Sequence, residues 1–259
     1  MRSFLISMPT HSTPENVLVF LHGVGEAFIP IRDRERERLY SSEAGELVET
    51  PGLRNVFNHG VPMILGNPGK HVAHRFDDPK RAPFALPLFN DFLIIIPQMF
   101  LREDMADADS IGSMMDDACK FARSVVGNNP RIALMGFSRG GYAALRLAER
   151  TEVKVVVTMD AAPREEDMST FLKTLNEQQK PLWALFADYK NCDHDFERRI
   201  TNVHRDLQAF DVSLTGRIPG ADKCKTLVPT HGTKGARHNQ VCDIVSSAHV
   251  VYDWILRRV

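Results

Sequence analysis

The sequence predicts an α/β fold in which helices cover both faces of a mostly parallel central sheet. Short apolar runs typical of buried strands recur along the chain, and helix-like stretches separate them at spacings that suit βαβ crossovers better than hairpins. Most runs lack the polar alternation of a half-exposed strand. They are residues 17–21, 92–96, 132–135, 153–158, 182–187 and 212–215.

Four helices are predicted between and after these strands. Ser110 can cap a helix whose apolar residues follow a 3.6-residue period and which ends at Gly127. Residues 141–150, 196–210 and 240–257 are the other predicted helices. The last has one apolar stripe, so we expect it to dock the C-terminal segment on the sheet.

The chain has 259 residues, of which 43% are hydrophobic and 25% charged, as in an ordinary globular protein. This length predicts one domain over residues 1–259. Two polar stretches, around 26–52 and 66–90, interrupt the βαβ rhythm and are interpreted as insertions. The charged run 32–38 in the first alternates in sign, which is typical of a solvated helix face; a flap over the active site is the alternative.

Charge and hydropathy exclude several classes of partner. The 32 Lys and Arg residues balance 33 Asp and Glu residues, so no net field attracts a polyanion, and nucleic acid is not expected to bind. The longest apolar runs are far shorter than the roughly 20 residues of a membrane span, and the N-terminal segment lacks the apolar middle of a secretory signal. We therefore expect a cytoplasmic protein with no membrane span.

The strongest local signal is the segment Gly136-Phe-Ser138-Arg-Gly140, a GxSxG motif between a predicted strand and a predicted helix. This context is typical of a nucleophile elbow, where the serine sits on a tight strained turn. Gly136 and Gly140 leave room for the strand and the helix to approach each other. Ser138 is therefore the candidate nucleophile.

A serine hydroxyl needs a base, and the base needs an acid that fixes its tautomer. In the α/β-hydrolase arrangement the chain order is Ser, acid, His. His238, on a predicted loop just before the C-terminal helix, is the expected base, and His231 is the alternative. The acid is expected after the strand 182–187, where Asp193 is slightly favoured over Asp188. Asp195 is interpreted as a helix cap.

Acyl transfer also needs donors for the developing oxyanion, usually two backbone N–H groups. One is expected from Arg139, which follows the nucleophile. The second is expected from Val24, in the glycine-containing turn after the strand 17–21.

The sequence provides no pattern for a metal or organic cofactor, and none is expected. There is no HExxH, no P-loop and no GxGxxG that opens a helix. Scattered histidines and cysteines in the C-terminal third match no zinc-finger or ribbon spacing. The expected partner is a small-molecule ester substrate.

Several motifs together resemble the phospholipase/carboxylesterase-like branch of the α/β-hydrolases, near its predicted-peptidase and feruloyl-esterase-type members. In chain order they are Leu21-His-Gly-Val-Gly-Glu26, Asn58-His-Gly-Val-Pro62, Ile96-Pro-Gln98, Gly136-Phe-Ser-Arg-Gly-Gly-Tyr142 and Gly235-x-x-His238. The resemblance covers most of the chain. It implies a serine hydrolase that cleaves a carboxylic ester with a triad of Ser138, His238 and either Asp193 or Asp188.

Two other functions remain compatible with these residues. The same triad attacks thioesters and small amides, so a thioesterase or small-peptide hydrolase is one alternative. A catalytically silent member of the fold that binds a ligand or a protein is the other. Such a protein would be expected to lose the serine or the histidine, and this chain retains both Ser138 and His238.

Overall fold

A computed structural model describes residues 4–9, 14–23, 59–66, 91–98, 107–163, 165–187, 189, 201–203, 205–207, 224–230 and 232–259. The strands are β1 (Phe4–Ser7), β2 (Asn16–Leu21), β3 (Phe92–Pro97), β4 (Arg131–Phe137), β5 (Val153–Met159), β6 (Leu182–Ala187) and β7 (Lys225–Val228). The helices are α1 (Gly60–Gly66), α2 (Ala108–Val126), α3 (Arg139–Leu147), α4 (Glu165–Glu177), α5 (Lys234–Ser247) and α6 (His249–Leu256). Residues 201–203 and 205–207 are also helical.

The strands form one seven-stranded sheet in the order β1-β3-β2-β4-β5-β6-β7. Strand β1 pairs antiparallel with β3, and every other neighbouring pair is parallel. The predicted mostly parallel sheet is therefore confirmed, with one antiparallel edge strand added. Because β2 to β7 run in the same direction, their carboxyl ends share one edge of the sheet, where open α/β sheets bind their ligands.

Five predicted strands match β2 to β6 within two residues at either end, and the predicted strand 212–215 lies outside the described residues. The two edge strands β1 and β7 were not predicted. Each has only four residues, and Ile6 and Leu227 are exposed, so neither strand forms the continuous apolar run of a central strand. Edge strands bury less surface and therefore carry a weaker sequence signal.

The first long helix begins earlier than the sequence predicts. Helix α2 is capped by Asp107, whose carboxylate accepts a hydrogen bond from the backbone N–H of Ser110 at 2.8 Å. Ser110 therefore lies in the first turn and is not the cap. Asp and Ser are equally favourable caps, so composition alone could not decide between these two positions.

The C-terminal segment, predicted as one helix over 240–257, is two helices that meet at Ala248, which has an extended conformation. The first of them, α5, also begins earlier than predicted, because the Thr233 hydroxyl caps it by accepting from the backbone N–H of Ala236 at 3.4 Å. His238 consequently lies within a helix and not on a loop before one, which corrects the prediction.

The core lies between the sheet and its helices, and it confirms that the C-terminal helix docks on the sheet. Trp254 on α6 packs edge-on against Trp183 of β6, with ring centroids 5.3 Å apart, and both are fully buried. The indole N–H of Trp183 donates to the Thr226 hydroxyl at 2.9 Å, so the one polar group of this buried ring has a hydrogen-bond partner. Among the helices described, none is long and apolar enough to cross a membrane.

Candidate active site

Ser138 occupies the tight turn between β4 and α3 in a conformation that non-glycine residues rarely adopt. Its φ is 54° and its ψ is −117°. Two backbone hydrogen bonds hold the turn: the Ser138 N–H donates to the carbonyl of Met159 at 2.8 Å, and the Tyr142 N–H donates to the carbonyl of Ser138 at 3.2 Å. Such strain costs on the order of 1–3 kcal/mol and persists only where the surroundings enforce it. The turn carries Ser138, half-buried, at the carboxyl edge of the sheet.

The glycines around Ser138 are required because neighbouring residues pack closely against each of them. A Cβ at Gly136 would lie 2.3 Å from the carbonyl oxygen of Gly140, and a Cβ at Gly140 would lie 2.0 Å from that of Leu21. A Cβ at Gly141 would lie 2.6 Å from the Cβ of Ala161. Strand β4, helix α3 and the end of β2 therefore touch directly, which agrees with the room expected at Gly136 and Gly140.

His238 reaches this turn from α5. Its ring packs against the ring of Phe137, the residue before Ser138, with centroids 4.6 Å apart. Its Nδ1 lies 2.5 Å from Oδ2 of Asp160, and 27% of its side-chain surface is exposed. Because the carboxylate is an acceptor, Nδ1 carries the proton in this contact, and Nε2 is the nitrogen that can accept one.

Asp160 directly follows β5, and its carboxylate is buried. Its φ of 51° is also in the left-handed region, and its backbone N–H donates to the carbonyl of Leu185 at 2.7 Å. Oδ1 accepts from the N–H of Ala187 at 3.2 Å, and Oδ2 accepts from the hydroxyl of Tyr189 as well as from His238. A buried carboxylate needs such donors in place of water.

The carboxylate that contacts His238 is therefore one that sequence reasoning missed. Asp188 and Asp193 were expected after β6 and lie outside the described residues, as does Asp195. Asp160 belongs to the end of β5, one strand nearer to β4 than the expected position. The available signal was an aspartate two residues after the predicted strand 153–158, at the same sheet edge as Ser138.

Of the two expected oxyanion donors, Arg139 is described and Val24 is not. Arg139 is the first residue of α3, so its N–H lies at a helix N-terminus, where intrahelical acceptors are lacking. The contact of Gly140 with the carbonyls of Leu21 and His22 places the end of β2 against the same helix start. The end of β2, three residues before Val24, thus lies beside the tight turn at Ser138.

The side chain of His22, directly after β2, forms a hydrogen bond to the next residue of the chain. Its side chain is buried, and Nδ1 donates to the carbonyl of Gly23 at 2.8 Å. Burial lowers the pKa of His22 from 6.5 to about 4, against the smaller opposing effect of the Gly23 hydrogen bond. His22 is therefore neutral at neutral pH.

A second histidine anchors α1 to the helix that carries His238. The Nδ1 of His59 lies 3.2 Å from Oδ2 of Asp243, and Oδ1 of Asp243 accepts from the Gly60 N–H at 3.0 Å. Gly60 has a φ of 69°, and a Cβ there would lie 2.7 Å from Sγ of Cys242. His59 and Gly60 thus place α1 directly against α5.

Other expected features fall outside the described residues. These are His231, the insertion around 26–52 and all of the insertion around 66–90 except Gly66. Within the described part of the chain, no group of three or more His, Cys, Asp or Glu side chains is placed to hold a metal ion.

No family model and no curated protein matches the sequence. Among solved structures the chain is similar to esterase PE8, with 13% identity over 100% of this chain and 99% of that one, and a TM-score of 0.52. It is similar to Est1E from Butyrivibrio proteoclasticus, with 9% identity, 98% and 93% coverage, and a TM-score of 0.52. It is also similar to esterase B from Lactobacillus rhamnosis, inhibited by a tributyrin phosphonate, with 11% identity, 98% and 79% coverage, and a TM-score of 0.53. At these identities the similarity establishes a common fold.

Proposed function

We propose that this chain, which has the α/β-hydrolase fold, is a serine hydrolase that cleaves a carboxylic ester through a covalent acyl-enzyme. One observation carries the proposal. His238 contacts the buried carboxylate of Asp160 through Nδ1 while its ring packs on Phe137, next to Ser138. A general base for a serine needs an acid on one ring nitrogen, which Asp160 supplies, and the contact with Phe137 brings the ring to the residue that precedes Ser138.

In the acylation step, Nε2 of His238 takes the proton of the Ser138 hydroxyl as the oxygen attacks the ester carbonyl. Asp160 is the acid of this mechanism in place of Asp188 or Asp193, and it stabilises the imidazolium that forms. The oxyanion is held by the backbone N–H groups of Arg139 and Val24. The tetrahedral intermediate then collapses, and His238 donates its proton to the departing alcohol.

Deacylation repeats these roles with water as the nucleophile. His238 takes a proton from the water molecule, whose oxygen attacks the acyl carbonyl, and the second tetrahedral intermediate uses the same two amides. Collapse releases the carboxylic acid and returns the proton from His238 to the Ser138 oxygen. The cycle consumes one ester and one water and needs no metal or organic cofactor.

Labelling with a fluorophosphonate probe, together with turnover of a short-chain p-nitrophenyl ester, tests the proposal. Ser138→Ala should abolish labelling and lower turnover by on the order of 10⁶-fold, because the triad acts as a unit. Ser169→Ala, at an exposed serine of α4, is the matched control and should leave both unchanged. A folded wild-type protein that neither labels nor turns over would instead indicate a ligand-binding member of the fold.

A substrate panel distinguishes the ester from its chemical neighbours. A carboxylic ester, a thioester and an anilide that share one acyl group form the same acyl-enzyme and differ only in the leaving group. We expect the highest kcat/KM for the ester. A higher kcat/KM for the thioester or the anilide would leave the proposed roles of Ser138 and His238 unchanged, but it would change the proposed substrate class.

A further inference from the structure

Tyr189 contacts the same carboxylate oxygen as His238. It follows β6 by two residues, and only 4% of its surface is exposed. Its hydroxyl donates to Oδ2 of Asp160, and the hydroxyl oxygen lies 3.4 Å from Nδ1 of His238. Oδ2 of Asp160 therefore accepts hydrogen bonds from both a phenol and an imidazole.

We propose that Tyr189 is a positioning residue that shares Oδ2 of Asp160 with His238 and so sets the pH at which His238 takes up a proton. The consequence for catalysis rests on the proposed function, in which His238 is the base. The contact itself and its effect on protonation do not depend on turnover.

The direction of the effect follows from the charges. The phenol has one proton, and the anionic carboxylate is a stronger acceptor than the imidazole, so the hydroxyl donates to Asp160. This hydrogen bond draws negative charge from Oδ2 and weakens its attraction for an imidazolium. Loss of the hydroxyl should therefore favour protonated His238 and move its protonation to higher pH.

The hydroxyl also favours one tautomer of His238. Nδ1 faces two oxygen atoms, Oδ2 of Asp160 at 2.5 Å and the hydroxyl oxygen of Tyr189 at 3.4 Å. A nitrogen that faces two oxygens is favoured as the protonated nitrogen, which leaves Nε2 as the proton acceptor.

The other ionisable groups on the elements packed around His238 include Arg237, Asp243 and Arg139, and the first two have partners away from Asp160. On α5, Nε of Arg237 donates to the carbonyl of Gly232 at 2.9 Å, and Asp243 contacts His59 where α1 meets α5. Arg139 begins α3 beside Ser138. Substitution of Tyr189 by Phe leaves all these charges in place, so a shift in that variant reports the hydroxyl.

The test is a pH titration of the His238 imidazole by NMR in protein with labelled histidine, its signal among the 10 histidines assigned by its absence from His238→Gln. In Tyr189→Phe the midpoint should rise by about 0.5 to 1 pH unit. The acid limb of kcat/KM against pH should move by the same amount. Tyr252→Phe is the matched control, because its equally buried hydroxyl donates to the carbonyl of Ser246, away from Asp160.

Replacement of all 4 tyrosines by 3-fluorotyrosine tests the opposite direction, because the more acidic phenol is a stronger donor. The midpoint should then fall. An unchanged midpoint in either folded protein would overturn the role of Tyr189, even if the protein hydrolyses esters. Failure of the proposed function would give a different result. The His238 midpoint would still shift in Tyr189→Phe, but the wild-type protein would not react with the fluorophosphonate.

Discussion

Gly140 and Leu21 make a backbone contact that leaves no space for a side chain. A Cβ at position 140 would lie 2.0 Å from the carbonyl oxygen of Leu21 and 2.4 Å from that of His22. The start of α3 and the end of β2 are therefore in direct contact beside Ser138. This contact brings the end of β2 and His22 to the residues that follow Ser138.

Gly140→Ala should consequently destabilise the fold by about 3 kcal/mol or more, since both obstructing atoms are backbone atoms that a rotamer change cannot move. The measurement is urea unfolding followed by circular dichroism. Gly112→Ala is the control, because a Cβ at this residue in the second turn of α2 would meet nothing within 4 Å. That change should stabilise by about 0.5 to 1 kcal/mol. Equal effects at the two positions would contradict the contact at Gly140.

Asp160→Asn tests the identity of the acid. The amide retains the shape but loses the negative charge and offers a donor to Nδ1 of His238, which favours the wrong tautomer. We expect kcat for a p-nitrophenyl ester to fall on the order of 10³ to 10⁴-fold while the protein remains folded. Asp188→Asn and Asp193→Asn are the matched comparisons and should keep kcat within a few-fold of wild type. A large loss of kcat in Asp188→Asn or Asp193→Asn, with Asp160→Asn still active, would show that the acid lies in the segment after β6.

His22 should make the fold sensitive to acid. The pKa of His22 is about 4 in the folded protein, against the ordinary value of 6.5 that applies to the unfolded chain. Between these two pH values, the unfolded chain therefore binds a proton at His22 that the folded chain does not bind. The free energy of unfolding therefore falls as pH drops from about 6.5 to 4, by about 3 kcal/mol from this group.

Urea unfolding of wild type and His22→Gln at several pH values between 4 and 7 measures this contribution. The variant is expected to be less stable at pH 7 but to depend less steeply on pH, because glutamine does not titrate. Parallel curves for the two proteins would show that another group causes the acid sensitivity.

Asp243 should stabilise the contact between α1 and the helix that carries His238. Asp243→Ala removes the acceptor of the Gly60 N–H and of His59, so we expect a loss of about 1 to 2 kcal/mol in urea unfolding. Asp253→Ala on α6 is the control, since its ion pair with Arg257 is exposed and should contribute less than about 0.5 kcal/mol. A loss at Asp243 no larger than at Asp253 would contradict the role of this anchor.

Local sequence patterns were sufficient to predict the central strands and the tight turn at Ser138. Strands β3 and β6 are buried at every residue, which is why each appears as an uninterrupted apolar run. The spacing of Gly136 and Gly140 around Ser138 reflects in part the contact between β4 and α3, which follow each other along the chain. Such features depend on neighbours in sequence, so a linear pattern contains them.

Helix boundaries were less predictable, because several residues compete for each cap. Asp107 and Ser110 are both good caps, and in the structure Asp107 caps α2. Thr233 starts α5 early enough to include His238, although the apolar stripe from which the helix was predicted begins after it.

The sequence by itself determined the sheet, the order of its central strands along the chain, and Ser138 and His238 as candidates. Only the tertiary structure decided that Asp160 contacts His238 and that Tyr189 shares the contact. The order of strands in space puts the end of β5 between the ends of β4 and β6, so a residue 78 positions from His238 meets it at 2.5 Å. No local pattern encodes that distance, because it arises from the pairing of parallel strands and from the approach of α5 to their shared edge.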